Sequence, residues 1–89
     1  MAVLVVPSSL RRYTDQRSRV TLAAQTVEEM LKRFSESSQE LHNHLFAGHS
    51  LRKFVVVCKN GHDIRLLEGL STPLADTDEV QIVASVAGG

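Results

Sequence analysis

The sequence ends in Val86-Ala87-Gly88-Gly89, and these residues could present the terminal main-chain carboxylate as a reactive group. Glycine has no Cβ, so a Gly88-Gly89 end can enter channels too narrow for a side chain, and its carboxylate is unshielded. Such a carboxylate suits an enzyme that must reach and activate it. The alternative is a frayed end with no role, since chain termini are often disordered.

The histidines and the cysteine attract attention next. His42, His44 and His49 lie close together, but zinc needs several imidazole or thiolate ligands that converge on one point, and no cysteine is near them. We therefore favour a polar surface loop and predict no metal site. A nucleophilic cysteine needs an activated thiolate and exposure. The sequence indicates neither for Cys58, which we interpret as an inert strand residue.

Composition limits the classes of function. The 43% hydrophobic content of these 89 residues predicts one folded domain with little room for an enzyme cleft. Ten Lys plus Arg balance ten Asp plus Glu, so no basic excess favours nucleic acid. A local basic run is interpreted as a solvated turn and strand edge, with docking to an acidic partner as the alternative. Its members are Arg11, Arg12, Arg17 and Arg19.

The cysteine count and the apolar runs predict the cellular compartment of the protein. A single cysteine excludes an internal disulfide and fits a reducing environment. The apolar start is short, has no basic region before it and meets Pro7 at once, which is unlike a secretory signal. No apolar run approaches the roughly 20 residues of a membrane helix. We expect a cytoplasmic protein with no membrane partner.

The first half of the chain predicts two strands and a helix. Residues 2–6 form an apolar run closed by a turn, and residues 17–22 alternate in polarity, so the two are expected to pair as a hairpin. Thr26 and Glu29 have the spacing of a capping box, which predicts a helix start. An apolar stripe at helical spacing should then cover the sheet. It consists of Val27, Met30, Leu31 and Phe34.

The second half predicts an irregular turn and three strands. Residues 39–46 are expected to be irregular, with apolar side chains at the edge of the core. The apolar run 54–58 and the short segment 62–66 flank Asn60-Gly61, a strong hairpin signal. Residues 79–85 alternate again and lead directly to the glycines. We predict an α+β fold of the β-grasp type, with a mixed sheet of about four to five strands and one main helix.

The domain is expected to span residues 1–84, followed by a flexible tail at residues 85–89. Taken in order, a set of residues along the chain resembles the ubiquitin-like ThiS/MoaD family of sulfur carriers, most closely the CysO type. Thr77 and Ser85 depart from that pattern, which often has a turn glycine and a proline there. The matching residues are Pro7, Leu10, Arg11, Thr14, Phe54-Val55, Asn60, Asp63-Ile64-Arg65, Leu70-Ser71-Thr72, Asp76, Asp78-Glu79-Val80 and Val86-Ala87-Gly88-Gly89.

The resemblance implies a carrier rather than an enzyme. An adenylating partner of the ubiquitin-activating type would use ATP to activate the Gly89 carboxylate, and donor sulfur would convert it to a thiocarboxylate. A synthase would then accept the sulfur to make cysteine, a thiosugar, a cofactor or a thiolated nucleoside, and a metalloprotease is a further implied partner. The carrier itself would bind no cofactor and be a monomer.

Delivery requires reach and a docking face. Residues 85–89, extended at about 3.3 to 3.6 Å each, span roughly 17 Å, which is enough to insert Val86, Ala87, Gly88 and Gly89 into a partner. We expect a small, transient interface on the sheet near Val56, Cys58 and Val83. Two alternatives stay open: a ubiquitin-like modifier joined through Gly89 to target lysines, and a β-grasp adaptor whose glycines are incidental.

Overall fold

A mixed sheet with helices on one face organises the chain. The computed structural model describes residues 1–84, and within them five strands form one sheet and two further strands form a separate hairpin. The predicted tail, residues 85–89, lies outside the described residues. The elements are β1 (Ala2–Val5), β2 (Arg19–Leu22), α1 (Val27–Ser35), α2 (Gln39–Leu45), β3 (Phe46–Ala47), β4 (Ser50–Leu51), β5 (Val55–Lys59), β6 (His62–Asp63) and β7 (Glu79–Ala84).

The strand order in the sheet is β2-β1-β7-β5-β6. β1 and β7 run parallel, whereas β1 with β2, β7 with β5 and β5 with β6 are antiparallel. The two predicted hairpins are therefore confirmed, and the last strand is inserted between them. The prediction of a mixed sheet of about four to five strands is confirmed as well.

The start of α1 has the predicted cap. The Thr26 hydroxyl accepts a hydrogen bond from the Glu29 amide at 3.1 Å, and the Glu29 carboxylate accepts one from the Gln25 amide at 2.7 Å. The first bond satisfies an amide that the first helical turn leaves without a partner, and the second fixes the residue before the cap. The predicted stripe of four apolar residues on this helix is buried throughout. Its members are Val27, Met30, Leu31 and Phe34.

The core lies between α1, α2 and the inner face of the sheet. Alternate residues of the central strands point into it, and burial of each such aliphatic side chain contributes about 1.5 to 3 kcal/mol. Both α1 and α2 therefore cover the same face of the sheet, and neither covers the other, outer face. The buried sheet residues are Ala2, Leu4, Val57, Val80 and Ile82.

The irregular turn predicted over residues 39–46 is wrong, because most of it is the helix α2. The Ser38 hydroxyl accepts a hydrogen bond from the Leu41 amide at 3.2 Å, which caps this helix. Leu41 and Leu45, four residues apart, share its buried face. The β3–β4 hairpin that follows was not predicted. Within residues 1–84 no helix has the length and apolar character that crossing a membrane requires.

Three predicted strand boundaries also shift. β2 begins at Arg19, because Asp15 and Gln16 adopt positive φ values of 53° and 66° and prolong the preceding turn. β5 begins after Phe54, which lies in a turn. β6 ends at Asp63, whose carboxylate accepts a hydrogen bond from the Arg65 amide at 2.9 Å and starts a 3-10 turn instead of continuing the strand.

Candidate functional site

The strand β7 leads to the predicted reactive end. It lies between β1 and β5, with Val80 opposite Leu4 and Ile82 opposite Val57. Val80 and Ile82, which the alternation of residues 79–85 places on one face, are both buried. The strand is paired up to its last described residue, Ala84, which lies opposite Val55. The predicted tail therefore starts from a strand fixed within the middle of the sheet.

The three predicted docking residues lie on the outer face of the sheet, which neither α1 nor α2 covers. Val56 lies opposite Val83, and Cys58 lies opposite Gln81, so the structure brings the three together. Val56 and Cys58 are half-buried, and the Val83 side chain is 45% exposed. These three side chains form an accessible apolar patch beside the polar Gln81, which is compatible with docking; that it docks stays a prediction.

Two further residues extend the outer face and were missed in the sequence. Val3 and Val5 lie opposite Glu79 and Gln81, so they share the face of Val83 and are only half-buried. The first strand was interpreted simply as buried, because an uninterrupted apolar run has no alternation to separate two faces. Only the parallel pairing with β7 assigns these valines to the outer face.

A polar cluster holds the beginning of β7. Asn60 bonds through its amide nitrogen to the Asp78 carboxylate at 2.9 Å, and its amide oxygen accepts the Glu79 amide at 2.9 Å. Asp78 also accepts the Ala75 amide at 2.7 Å and pairs with Lys59 at 3.4 Å. The hairpin turn between β5 and β6 is thereby tied to the strand that carries the tail.

The charge of Asp78 belongs to this cluster. The hydrogen bond from the Ala75 amide, then that from Asn60, and the nearby Lys59 ammonium lower the pKa of the Asp78 carboxyl. Each of these contacts favours the ionised form. Asp78 is therefore a fixed acceptor for the turn before β7, which gives it a structural role.

Thr77, one of the departures from the family pattern, lies in that same turn. Asp78 donates its amide to the Ala75 carbonyl at 3.0 Å, which closes the turn around Thr77. The residues other than glycine with positive φ in the described chain are Asp15, Gln16 and Asn60. Thr77 thus has an ordinary backbone conformation, and the turn needs no glycine there.

The histidines do not converge. His42 and His44 lie on α2 rather than in the predicted loop; His42 stacks on Phe46 at 4.9 Å between ring centres, and His44 lies 4.0 Å from Glu40. His49 lies in the β3–β4 turn. Within residues 1–84, no group of three or more His, Cys, Asp or Glu side chains is arranged to hold a metal ion.

The basic run is spread over a 3-10 turn and the edge strand. Arg12 pairs with Glu40 at 2.6 Å, and Arg19 pairs with Glu79 at 2.6 Å across β1. These contacts fix the loop to α2 and the edge strand to β7, so two of the arginines have structural partners. Exposed pairs of this kind contribute little, about 0 to 1 kcal/mol each.

Comparison with known proteins places this geometry among ubiquitin-like β-grasp proteins. A chain of the crystal structure of the Amycolatopsis orientalis BexX/CysO complex superposes with a TM-score of 0.88 at 27% identity, over 100% of both chains. The solution structure of the small archaeal modifier protein 1 from Methanosarcina acetivorans gives a TM-score of 0.85 at 26% identity, over 99% of this chain and 95% of that one. The predicted fold class is confirmed.

The sequence comparisons define the family. The ThiS family model matches residues 4–89. The sulfur carrier protein CysO of Mycobacterium tuberculosis is 32% identical in an alignment 88 residues long that covers 94% of each chain. This chain therefore belongs to the ThiS family, and the resemblance seen in the sequence is confirmed. These relatives are named as sulfur carrier proteins.

Proposed function

We propose that this protein is a sulfur carrier whose working group is the carboxylate of Gly89. The observation that carries the proposal is the family match, which continues from the β-grasp domain through Gly89. The relatives with full-length similarity are sulfur carrier proteins. The fixed strand β7 and the open outer face of the sheet provide a base for such an end and a surface for partners.

The proposed chemistry has two steps, and partner enzymes catalyse both. An oxygen of the Gly89 carboxylate attacks the α-phosphorus of ATP in an adenylating partner, and pyrophosphate leaves. Sulfur from a donor then attacks the carbonyl carbon of the acyl-adenylate and AMP leaves, which yields a C-terminal thiocarboxylate. Adenylation is needed because a free carboxylate is a poor electrophile. The thiocarboxylate sulfur is the nucleophile that a biosynthetic acceptor receives.

The chain's own contribution to this chemistry is presentation. Its docking face would be Val56, Cys58 and Val83 on the outer face of the sheet. Val86, Ala87 and Gly88 would pass through the partner's channel. We expect the interface to be small, because the carrier must dissociate from its partner after delivery. The BexX/CysO complex supports the view that carriers of this type work with partner proteins.

The proposal is tested on the carboxylate itself. ATP–pyrophosphate exchange is measured with the adenylating enzyme of the ubiquitin-activating type from the same organism. We expect exchange with the wild-type chain and none when Gly89 is deleted or when an alanine is added after it. Because these changes lie beyond β7, thermal unfolding should stay unchanged. Equal exchange by both variants would contradict the proposal and favour the adaptor alternative.

A second candidate is a ubiquitin-like modifier, and it shares the adenylation step. The structural similarity to small archaeal modifier protein 1 supports this second candidate. In that case the activated Gly89 would be joined to a lysine amine of a target protein. Mass spectrometry of cell extracts separates the two candidates, because an isopeptide-linked Gly-Gly remnant on lysines supports the modifier, whereas a free thiocarboxylate supports the carrier.

A further inference from the structure

A turn with an unusual surface lies beside the point from which the tail starts. The Val55 amide donates to the Arg52 carbonyl at 3.0 Å, which closes a turn over residues 52–55 with Lys53 and Phe54 at its tip. Val55 is the residue that lies opposite Ala84, the end of the described part of β7. We call residues 52–55 the tail-side turn.

The tail-side turn is anchored by its first residue. The Arg52 amide donates to the Leu45 carbonyl at 2.9 Å, and the Arg52 guanidinium donates to the Asn43 carbonyl. Both acceptors belong to α2, so the turn is fixed against the last turn of that helix. Its tip is therefore presented in a defined position beside the described end of β7.

The tip combines an exposed apolar ring with positive charge. Phe54 is 57% exposed, which is high for a phenylalanine, and Lys53 beside it is exposed too. Within residues 1–84, four basic side chains form no ion pair with a carboxylate: Arg11, Arg17, Arg52 and Lys53. Of these four, Arg52 and Lys53 are adjacent to the exposed Phe54 ring, so the turn presents positive charge beside an apolar surface.

A cleft of about 250 Å³ adjoins the turn and, like the turn, combines apolar and charged residues. Its apolar lining includes Leu51, Ile64 and Leu70, and its charged lining is Arg52, Lys53 and the Asp63–Arg65 pair. Arg65 and Asp63 largely neutralise each other at 2.6 Å. An apolar surface with a net positive rim complements a partner segment that carries an acidic residue beside an apolar one.

We propose that the tail-side turn is an electrostatic docking element for the adenylating partner, which contacts it with an acidic and apolar rim around its tail channel. This inference rests on the proposed function. The turn borders the strand that carries the tail, so a partner that encloses residues 85–89 must approach Lys53 and Phe54. Positive charge there speeds correct encounter and orients the tail, whereas the chemistry is left to the partner.

The test is a pair of matched charge reversals in the ATP–pyrophosphate exchange assay with that adenylating enzyme. For Lys53→Glu we expect the KM for the carrier to rise about three- to tenfold at low salt, with kcat unchanged, because a rim charge acts mainly on association. The rise should shrink near 0.5 M NaCl, a roughly screening concentration. Lys32→Glu on the solvent side of α1 is the control and should leave KM within about twofold.

Four outcomes would overturn the inference. An unchanged KM for Lys53→Glu, or an equal rise for Lys32→Glu, removes the docking role while wild-type exchange keeps the proposed function intact. A rise in the KM for ATP instead of the carrier would mean that Lys53 faces nucleotide phosphate rather than an acidic protein surface. Absence of exchange with the wild-type chain would overturn the proposed function and this inference together.

A second substitution tests the apolar contact of the tail-side turn. Phe54→Ser should raise the KM for the carrier at both low and high salt, because loss of apolar contact is not screened by ions. Phe54 lies outside the buried core, so the melting temperature should change little. A salt-dependent rise for Lys53→Glu together with a salt-independent rise for Phe54→Ser is the signature of the proposed rim.

Discussion

The two ends of β7 differ in how the surrounding chain uses its polar groups. At the beginning, Asn60, Asp78 and Lys59 satisfy one another and the adjacent amides. At the end, Ala84 is paired with Val55, and the neighbouring turn exposes Lys53 and Phe54. At the beginning of β7, the polar groups form hydrogen bonds within the domain. At its end, a charged side chain and an apolar side chain are exposed to solvent.

This difference separates stability from recognition along a single strand. Substitutions at the beginning should change the free energy of unfolding and leave partner binding alone. Substitutions at the end should do the reverse.

The largest effect is expected for Asp78→Ala. It removes the acceptor of the Ala75 and Asn60 hydrogen bonds and the partner of Lys59, and hydrogen bonds to a charged group contribute about 1.5 to 3 kcal/mol. Urea unfolding should show a loss of that size. The KM for the carrier, measured below the midpoint of unfolding, should equal that of the wild type.

Asp78→Asn is the matched control, because it keeps the shape of the side chain and one acceptor oxygen. Its loss of stability should be smaller than that of Asp78→Ala. If Asp78→Ala leaves stability unchanged, or raises the KM as strongly as Lys53→Glu does, the two ends of β7 are not separate in function.

A smaller effect is expected from pH, again at Asp78. Its contacts lower the pKa of the Asp78 carboxyl in the folded state, so its ionised form stabilises the fold above the unfolded pKa of about 3.9. That contribution is lost as pH falls through the lower folded value. The free-energy difference between wild type and Asp78→Asn should therefore be full at neutral pH and shrink in acid.

The measurement is urea unfolding of both proteins from about pH 7 to about pH 2, since other carboxyl groups are common to both and cancel in the difference. A difference that stays constant over this range would mean that the charge of Asp78 does not contribute and that shape alone accounts for its role.

The smallest effect on stability is expected for Val83→Thr, on the outer face near the tail. Threonine has the shape of valine, and the site is exposed, so the free energy of unfolding should change by less than about 0.5 kcal/mol. Burying the hydroxyl against a partner costs about 1 kcal/mol or more, so the KM for the carrier should rise roughly fivefold.

Val3→Thr is the control for the outer face. Val3 lies opposite Glu79, at the beginning of β7, so the same change there should leave the KM unchanged. Equal effects at Val3 and Val83 would mean that docking uses the whole outer face rather than the part beside the tail.

Much of this architecture follows from local sequence patterns. The capping box at Thr26 and the stripe that includes Met30 and Leu31 predict α1, and the alternation at Val80 and Ile82 predicts β7. Asn60-Gly61 predicts its hairpin, because both residues adopt the positive φ values, 50° and 86°, that a tight turn requires. These signals are contained within a few consecutive residues.

The parts that were missed depend on contacts between distant segments. The helix α2 is short, and its sequence around His42 and His44 is polar, so its helical character rests on the Ser38 cap and on the burial of Leu41 and Leu45. Similarly, the tail-side turn is recognisable only once β5 is paired with the end of β7. Sequence spacing alone does not bring Lys53 and Ala84 together.

Intact-mass spectrometry shows directly whether Gly89 carries the chemistry. The chain is incubated with its adenylating partner, ATP and a sulfide source. We predict a mass that corresponds to one oxygen replaced by sulfur at the C-terminus, absent when ATP is omitted and absent from the Gly89 deletion. An unchanged mass for the wild-type chain, or equal sulfur uptake by the deletion variant, would contradict the account.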